Sequence, residues 1–427
     1  MPSIESRIAE IARSDIFPSD VGRRTFLGLA AAAGVSISLS SCSIASGSKS
    51  GSDGLTRGPM AAHVTTLANE FFVEYTDGAK QAAAALKFDL TAYEEQGNVN
   101  TALGQLGTVR ASGGKTMFGH NASEAECAAM VKSAAAANIF YACTFTAPPN
   151  FTPADSRTWV RFITPSTPEI AYQTAKTLFE KVGGEGTVIH VPGQKGSTPD
   201  VQRTAGLKRA LKEYPNIKIV TTPDGNWTAQ DARKAFENTL PSVDDFVGVF
   251  TQNDSEAEGV IAALDARGIK GIQVTGFDGN KKNIEFIADG KQLLTSATTP
   301  GLSAGLAAVS LFDAVNGVKL SLPESMLFQG AVLVNAENAA DLRKKLYSGP
   351  LPFEWERMSR ALHPDDWDPQ TLLTPIKPQE FFADAPTGDY KLNTAWDGID
   401  QEITQIKKKY ADAFQAGPLA AYKSEMV

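Results

Sequence analysis

Phe246-Val247-Gly248-Val249-Phe250-Thr251 leads into Gln252-Asn253-Asp254, then an amphipathic stretch over 255–268, then Ile272-Gln273-Val274-Thr275-Gly276-Phe277-Asp278-Gly279. A β-rich run, a helical stretch and a second β-rich run make one strand–helix–strand unit, and such units close as right-handed crossovers between parallel strands. Ser255 and Glu258 stand at the spacing where a hydroxyl and a carboxylate reciprocally satisfy the free amides of a helix start. The beat continues outward in both directions. Further β-rich runs fall at 60–67, 88–93, 116–119, 139–145, 187–191, 217–221 and 293–298, with helical segments at 123–136, 169–182, 201–213 and 229–240. Ser123…Glu126 and Ser166…Glu169 repeat the capping spacing. The alternation predicts an α/β chain of doubly wound parallel sheets with helices on both faces.

At 427 residues the chain is too long for one ordinary core, so two domains are expected. Hydrophobic residues at 42% and charged residues at 21% make a globular composition and exclude a disordered or collagen-like chain. A formal net charge of −8 argues against a nucleic-acid partner, which needs a cationic face. No apolar run reaches the roughly 18–20 residues of a membrane span. Three cysteines cannot build a multi-disulfide framework, and Cys127 and Cys143 read as buried free thiols.

The first residues read as an address. Arg23-Arg24-Thr25-Phe26-Leu27 precedes an apolar stretch ending at Leu39, long enough for a signal-peptide core and too short to span a bilayer. The paired arginines resemble a twin-arginine export signal, although Gly22 and Gly28 replace the polar residue and the lysine usual there. Leu39-Ser40-Ser41-Cys42 resembles a bacterial lipobox, which makes Cys42 the lipidation site and 1–41 the removed peptide. Acyl chains, at ~0.8 kcal/mol per buried methylene, would hold such a protein on a membrane. Residues 42–58 are Gly/Ser-rich and read as a flexible tether.

In doubly wound sheets ligands bind beyond the carboxyl ends of the strands. The loops there include Ala68-Asn69-Glu70-Phe71-Phe72, Phe145-Thr146, Asp224-Gly225-Asn226-Trp227, Gln252-Asn253-Asp254 and Gly276-Phe277-Asp278-Gly279. Rings and hydrogen-bonding groups dominate, without a phosphate cradle. An aromatic face suits the C–H face of a sugar, while carboxylates and amides bridge vicinal hydroxyls.

Asn69-Glu70-Phe71-Phe72-Val73-Glu74-Tyr75-Thr76-Asp77-Gly78-Ala79, Thr251-Gln252-Asn253-Asp254 and Val274-Thr275-Gly276-Phe277-Asp278-Gly279 resemble the type I periplasmic sugar-binding proteins, their ribose-binding members above all. The likeness covers about 60–340. It implies a bilobed, hinged receptor that delivers a sugar or polyol to the permease and ATPase of an ABC importer. By the same likeness Asn69, Phe71 and Phe72 supply the N-lobe wall, Arg203 clamps the sugar, and Trp227 supplies a ring. Asn253 and Asp278 bind ring hydroxyls, and Thr298 lies where a glutamine is usual. Phe145-Thr146 replaces an acidic–basic pair, which points away from ribose toward a polyol or a less polar sugar. Three chain crossings are implied, near 164–166, 299 and 322–325. The N-lobe then combines 59–165 with 300–323, and the C-lobe combines 166–299 with 324–340. The expected location is the cell envelope or periplasm, lipid-anchored, with no cofactor and no metal.

Other readings are weaker. An exported ligand sensor for a membrane receptor would share the same lobes. Gly301-Leu302-Ser303-Ala304-Gly305 matches a G-x-S-x-G nucleophile turn, with His363 downstream, as a serine hydrolase would have. A dehydrogenase lacks its Gly-x-Gly-x-x-Gly, since the first loop reads Leu67-Ala68-Asn69-Glu70-Phe71-Phe72. A sugar-responsive repressor would carry a helix-turn-helix where this chain has an export signal. His120 and Glu124 straddle a strand–helix junction and read as a loop histidine beside a capped helix rather than a metal pair. Residues 341–427 form a C-terminal extension beyond the resemblance. Trp355, Trp367 and Trp396 imply that it is ordered, with Pro-rich turns and a final helix over 398–416.

Overall fold

The computed structural model describes residues 49–50, 54–165, 167–383 and 391–427. The paired arginines and Cys42 lie outside the described residues, as does Ser166. In chain order the elements are β1 (Lys49–Ser50), β2 (Thr56–Arg57), β3 (Pro59–Val64), α1 (Glu70–Ala85), β4 (Asp89–Glu94), α2 (Val99–Ala111), β5 (Thr116–His120), α3 (Glu124–Ala137) and β6 (Phe140–Thr144). There follow β7 (Trp159–Pro165), α4 (Thr167–Lys181), β8 (Glu185–Val191), α5 (Thr198–Leu211), β9 (Asn216–Thr221), α6 (Ala229–Thr239), β10 (Gly248–Thr251), α7 (Asp254–Arg267), β11 (Gln273–Asp278), α8 (Lys281–Ala288) and β12 (Leu294–Ala297). The chain continues through α9 (Pro300–Val315), β13 (Met326–Gln329), β14 (Val332–Val334), α10 (Ala339–Tyr347), β15 (Leu373–Pro375), α11 (Pro378–Phe381) and α12 (Asp400–Ala413).

The strands form two main sheets. The N-lobe sheet runs β15-β13-β7-β6-β5-β3-β4, parallel except for β15, and the C-lobe sheet runs β14-β12-β11-β10-β8-β9, parallel except for β14. The inner strands are buried on both faces and carry near-continuous apolar runs, while the edge strands β4 and β9 keep exposed polar residues. One core of the N-lobe packs α1 and α9 on the sheet, and another packs α2 and α3 on the opposite face. In the C-lobe α4 and α5 cover one face, and α6 and α7 the other.

The boundary expected at 322–325 moves. Met326 and Leu327 pair with Phe162 and Ile163 of β7, so burial of this apolar pair keeps β13 in the N-lobe. The chain therefore crosses at Gly330–Ala331, before β14 joins β12. Helix α10 runs through the expected 340/341 boundary and packs on α8 of the C-lobe. The expected tether to 58 also ends early. β2 pairs with β1, and Thr56 exchanges two hydrogen bonds with Asn316, at 2.6 and 3.1 Å.

The extension is built into both lobes. β15 adds an antiparallel strand to β13, and Val427 exchanges two 3.0 Å backbone bonds with Ala331 at the crossing. Trp396 is buried and donates through Nε1 to Thr152 Oγ1 at 3.1 Å. Arg161, buried in β7, donates to Ser310 Oγ, the Glu324 carbonyl and Tyr410 Oη of α12.

The Gly301…Gly305 motif has a packing cause. A Cβ on Gly301 would fall 2.9 Å from the Glu74 carbonyl oxygen, and one on Gly305 would fall 2.0 Å from the Trp355 ring. Bare backbone at these positions lets α1 and Trp355 lie against α9. Trp355→Ala should therefore lower stability by about 3–5 kcal/mol, the usual cost of emptying a buried aromatic site. Chemical denaturation of the two proteins measures this.

Candidate functional site

The carboxyl edges of the two sheets face one cleft of about 740 Å³, with solvent at its mouth included. The N-lobe wall begins at Asn69, whose Oδ1 caps α1 by accepting from Phe72 N at 3.1 Å. The cap fixes a first turn in which Phe71 and Phe72 meet edge to face, 5.0 Å between centroids. His120 sits among the rings, 5.4 Å from Phe71, 4.9 Å from Phe72 and 5.1 Å from Phe145. Burial drives its imidazole down to about 4, so it is neutral at pH 7. Thr146, fully buried beside Phe145, has no protein partner for its Oγ1.

The C-lobe wall is polar. Arg203, in α5, is buried and donates through Nη1 to the Gln252 carbonyl, while Nη2 stands 3.5 Å from Asp278 Oδ1. Its guanidinium carbon lies 4.7 Å from the Phe277 ring centroid and 5.6 Å from that of Trp227, and its Nε has no internal partner. Trp227 rests on Gly193, where a Cβ would stand 1.9 Å from the indole. Burial pushes the Asp278 carboxyl up to about 7, against the pull of Arg203.

Several of these residues hold a backbone shape that L side chains seldom adopt. Phe145, Asn226, Trp227 and Asp278 have φ of 63°, 51°, 63° and 108°. Such conformations cost ~1–3 kcal/mol each and persist where surrounding contacts over-determine them. Here Glu256 accepts from the amides of Trp227, Gln252 and Asn253 at 3.1, 3.0 and 3.2 Å. Asp254 accepts from Gly279 and Asn280 at 2.9 and 2.8 Å. The capping box is thus Asn253–Glu256, not the expected Ser255–Glu258; Glu258 pairs instead with Lys282.

Asn69, Phe71, Phe72, Phe145, Thr146, Arg203, Trp227, Asn253 and Asp278 all line this cleft. Thr298 does not. It is fully buried behind the wall, where its amide donates to the Asp278 carbonyl and its own carbonyl accepts from Gln329 Nε2 at 2.7 Å. The side-chain oxygens of Asn69 and Asn253 are spent on helix caps, and Asn253 also donates to the Trp227 carbonyl through Nδ2. Sequence reasoning missed Thr65, His120, Gln194 and Ser197 as lining residues. His120 and the 192–197 loop also stand at strand carboxyl ends, so the same rule reaches them. Glu124 does not join His120; it accepts from Thr198 Oγ1 at 3.2 Å. That bond and the 3.2 Å bond from Ala147 N to Thr198 Oγ1 tie the two lobes together.

Ser303 is no nucleophile. It is buried inside α9 and donates to Gln329 Oε1 at 2.8 Å, while His363 pairs with Asp366 at 3.1 Å. Cys127 and Cys143 are buried free thiols, 3.0 Å apart at sulfur. No helix among the described residues is long and apolar enough to cross a membrane.

Two α/β lobes with a polar-and-aromatic cleft between their sheet edges define a ligand-binding receptor of the periplasmic type. The chain belongs to the periplasmic binding protein domain family, whose model matches residues 61–319. It is 25% identical over 280 residues to the D-apiose import binding protein of Actinobacillus succinogenes, covering 65% of this chain and 87% of that one. It is 30% identical over 141 residues to the xylitol-binding protein of Mycolicibacterium smegmatis, spanning 32% of this chain and 40% of that relative. These relatives are binding proteins rather than enzymes. Among solved structures, a twin-arginine translocation pathway signal protein from Burkholderia phytofirmans matches with TM-score 0.66 at 22% identity, covering 70% of this chain and 94% of that one. An ABC transporter periplasmic solute-binding protein from Actinobacillus succinogenes, with bound D-allose, matches with TM-score 0.61 at 24% identity, over 66% and 99%. The fold is that of the type I periplasmic binding proteins.

A raised folded-state pKa means that the native protein holds its proton longer than the unfolded chain. The stabilisation from Asp278 is complete below its unfolded value near 4 and is lost as pH rises through about 7. The buried His120 and His190, both lowered to about 4, oppose this only below about pH 6.5. The ligand-free protein should therefore melt at a lower temperature at pH 8 than at pH 6.5, and Asp278→Asn should shrink that difference. Calorimetric scans at the two pH values check it.

Proposed function

We propose that the protein captures a neutral polyhydroxylated ligand, a polyol or a weakly polar sugar, and presents it to an ABC importer. The carrying observation is the pairing of walls across one cleft. Phe71, Phe72 and Phe145 offer rings on one side, and Arg203 with Asp278 offers hydrogen-bonding charges on the other. Arg203 and Asp278 are the lining's cationic and anionic side chains and offset each other, which favours an uncharged ligand. Thr146 Oγ1 and Arg203 Nε, which lack protein partners, are suited to ligand oxygens. The relatives' ligands support the class: xylitol, D-apiose and D-allose in the proteins named above, and myo-inositol in a Bacillus halodurans structure of the same fold.

The polar half of the site is the sharper test. Each hydrogen bond to a charged group contributes ~1.5–3 kcal/mol, and ~1.4 kcal/mol is a factor of ten. A thermal-shift screen of pentoses, hexoses and polyols should find a stabilising ligand. Calorimetry should then show Asp278→Ala and Arg203→Ala binding it at least tenfold more weakly than the parent. Parent-like affinity in both variants would place the site elsewhere.

We also infer that the chain is exported through its paired arginines and anchored through a lipid on Cys42. The motif order, arginine pair then apolar core then Leu39-Ser40-Ser41-Cys42, supports this. Cys42→Ser should move the protein from the membrane fraction to the soluble exported fraction. An unchanged distribution on membrane fractionation counts against the anchor.

A further inference from the structure

Between the N-lobe sheet and the helices on its α2–α3 face, the chain buries a histidine with two carboxylates. His63 lies in β3, Glu95 follows β4, and Glu126 lies in the first turn of α3; all three are fully buried. One donor atom from each lies within 4.8 Å of the others. Glu95 Oε2 accepts from Gly97 N at 2.7 Å, while His63 Nδ1, Glu95 Oε1 and both Glu126 oxygens make no hydrogen bond of normal geometry. Among the described residues, no Lys or Arg forms an ion pair with either carboxylate. A buried carboxyl group without a charged partner either keeps its proton or meets a cation, and two such groups beside a bare imidazole nitrogen make a cation pocket.

The surrounding contacts orient the group. Tyr141 Oη donates to Asn121 Oδ1 at 3.1 Å and stands 2.5 Å from His63 Nε2, so it accepts the proton on that nitrogen. Nδ1 is then the bare nitrogen, directed at Glu126 Oε1, 3.7 Å away. A histidine held through its outer N–H, with its other nitrogen free, is the usual posture of a metal ligand. Gly119 makes room for this ring, since a Cβ there would stand 1.9 Å from Nε2. Glu126 departs from its expected role. Ser123 Oγ accepts from Glu126 N at 3.2 Å, yet the Glu126 carboxylate does not return to close the capping box and turns into the lobe beside Cys127 and Met130.

We propose that His63 Nδ1, Glu95 and Glu126 bind a divalent transition-metal ion such as Zn²⁺. One imidazole and two carboxylates suit Zn²⁺ or Mn²⁺ rather than a soft thiolate-seeking ion. Two donors at ~2.1 Å from one ion stand at most ~4.2 Å apart, and the 3.7 Å between His63 Nδ1 and Glu126 Oε1 already meets this. Thr65, whose carbonyl accepts from Gln96 N beside Glu95, lines the N-lobe wall, so the ion would brace the cleft from behind it.

The test uses the purified full chain, stripped with a chelator and equilibrated with Zn²⁺, with bound metal counted after equilibrium dialysis. One equivalent should bind, at least tenfold more weakly in both Glu126→Gln and Glu95→Gln. Co²⁺ in its place should give weak visible bands without a thiolate charge-transfer band, which separates this site from Cys127 and Cys143. Asp366→Asn, which removes the near-surface partner of His363, should bind like the parent. If Glu126→Gln fails to fold, Glu95→Gln on its loop decides the matter. No bound metal, parent-like binding in the glutamine variants, a thiolate band, or loss in Asp366→Asn would each overturn the proposal.

Discussion

The first turn of α7 holds the C-lobe wall together. Asp254 and Glu256, both fully buried, collect backbone amides from the loops after β9, β10 and β11. Burial, joined at Asp254 by the neighbouring Asp278 charge, raises both carboxyls well above their ordinary range, and the amide bonds pull the other way. Arg203 adds a compensating charge beside them. Without these bonds the positive φ values at Trp227 and Asp278 would relax, and the ring and the carboxylate would leave their places.

The opposite wall is built by a different principle. Phe71 meets Phe72, Phe145 and His120 edge to face, as Phe72 meets His120, and Asn69 sets the turn from which Phe71 and Phe72 project. A hydrogen-bonded wall facing an aromatic one suits a molecule with hydroxyls on one side and C–H groups on the other. The extension bears on how such a cleft can open. Val427 is bonded at the Gly330–Ala331 crossing, and Gln202 of α5 donates to the Phe381 carbonyl at 2.7 Å, so the tail touches both lobes beside the hinge.

The alternation of strands and helices was legible because buried parallel strands and capped amphipathic helices leave local patterns. β7 was not, since Arg161 interrupts its apolar run and is satisfied by Ser310, Glu324 and Tyr410, far away in sequence. β13 and β15 are short and gain their identity from each other. Most of the cleft could be read from loops at strand ends. Thr298 misled because a position matched by family likeness carries no information about which side of the wall its side chain takes. The roles of Asn69 and Asn253 as caps were hidden for a related reason: one amide can serve a helix or a ligand, and only geometry separates the two. The buried cluster around His63 was invisible, since its members come from three separate elements and each alone looks like an ordinary surface or capping residue.

Closure of both lobes on one ligand is the central claim, and hydrogen exchange measured with and without a saturating polyol or sugar tests it most directly. The account predicts that slowed exchange appears together on the N-lobe loops at 65–73 and 120–123 and the C-lobe loops at 193–199, 225–228 and 252–254. Protection confined to one lobe, or to surfaces away from these loops, would contradict it.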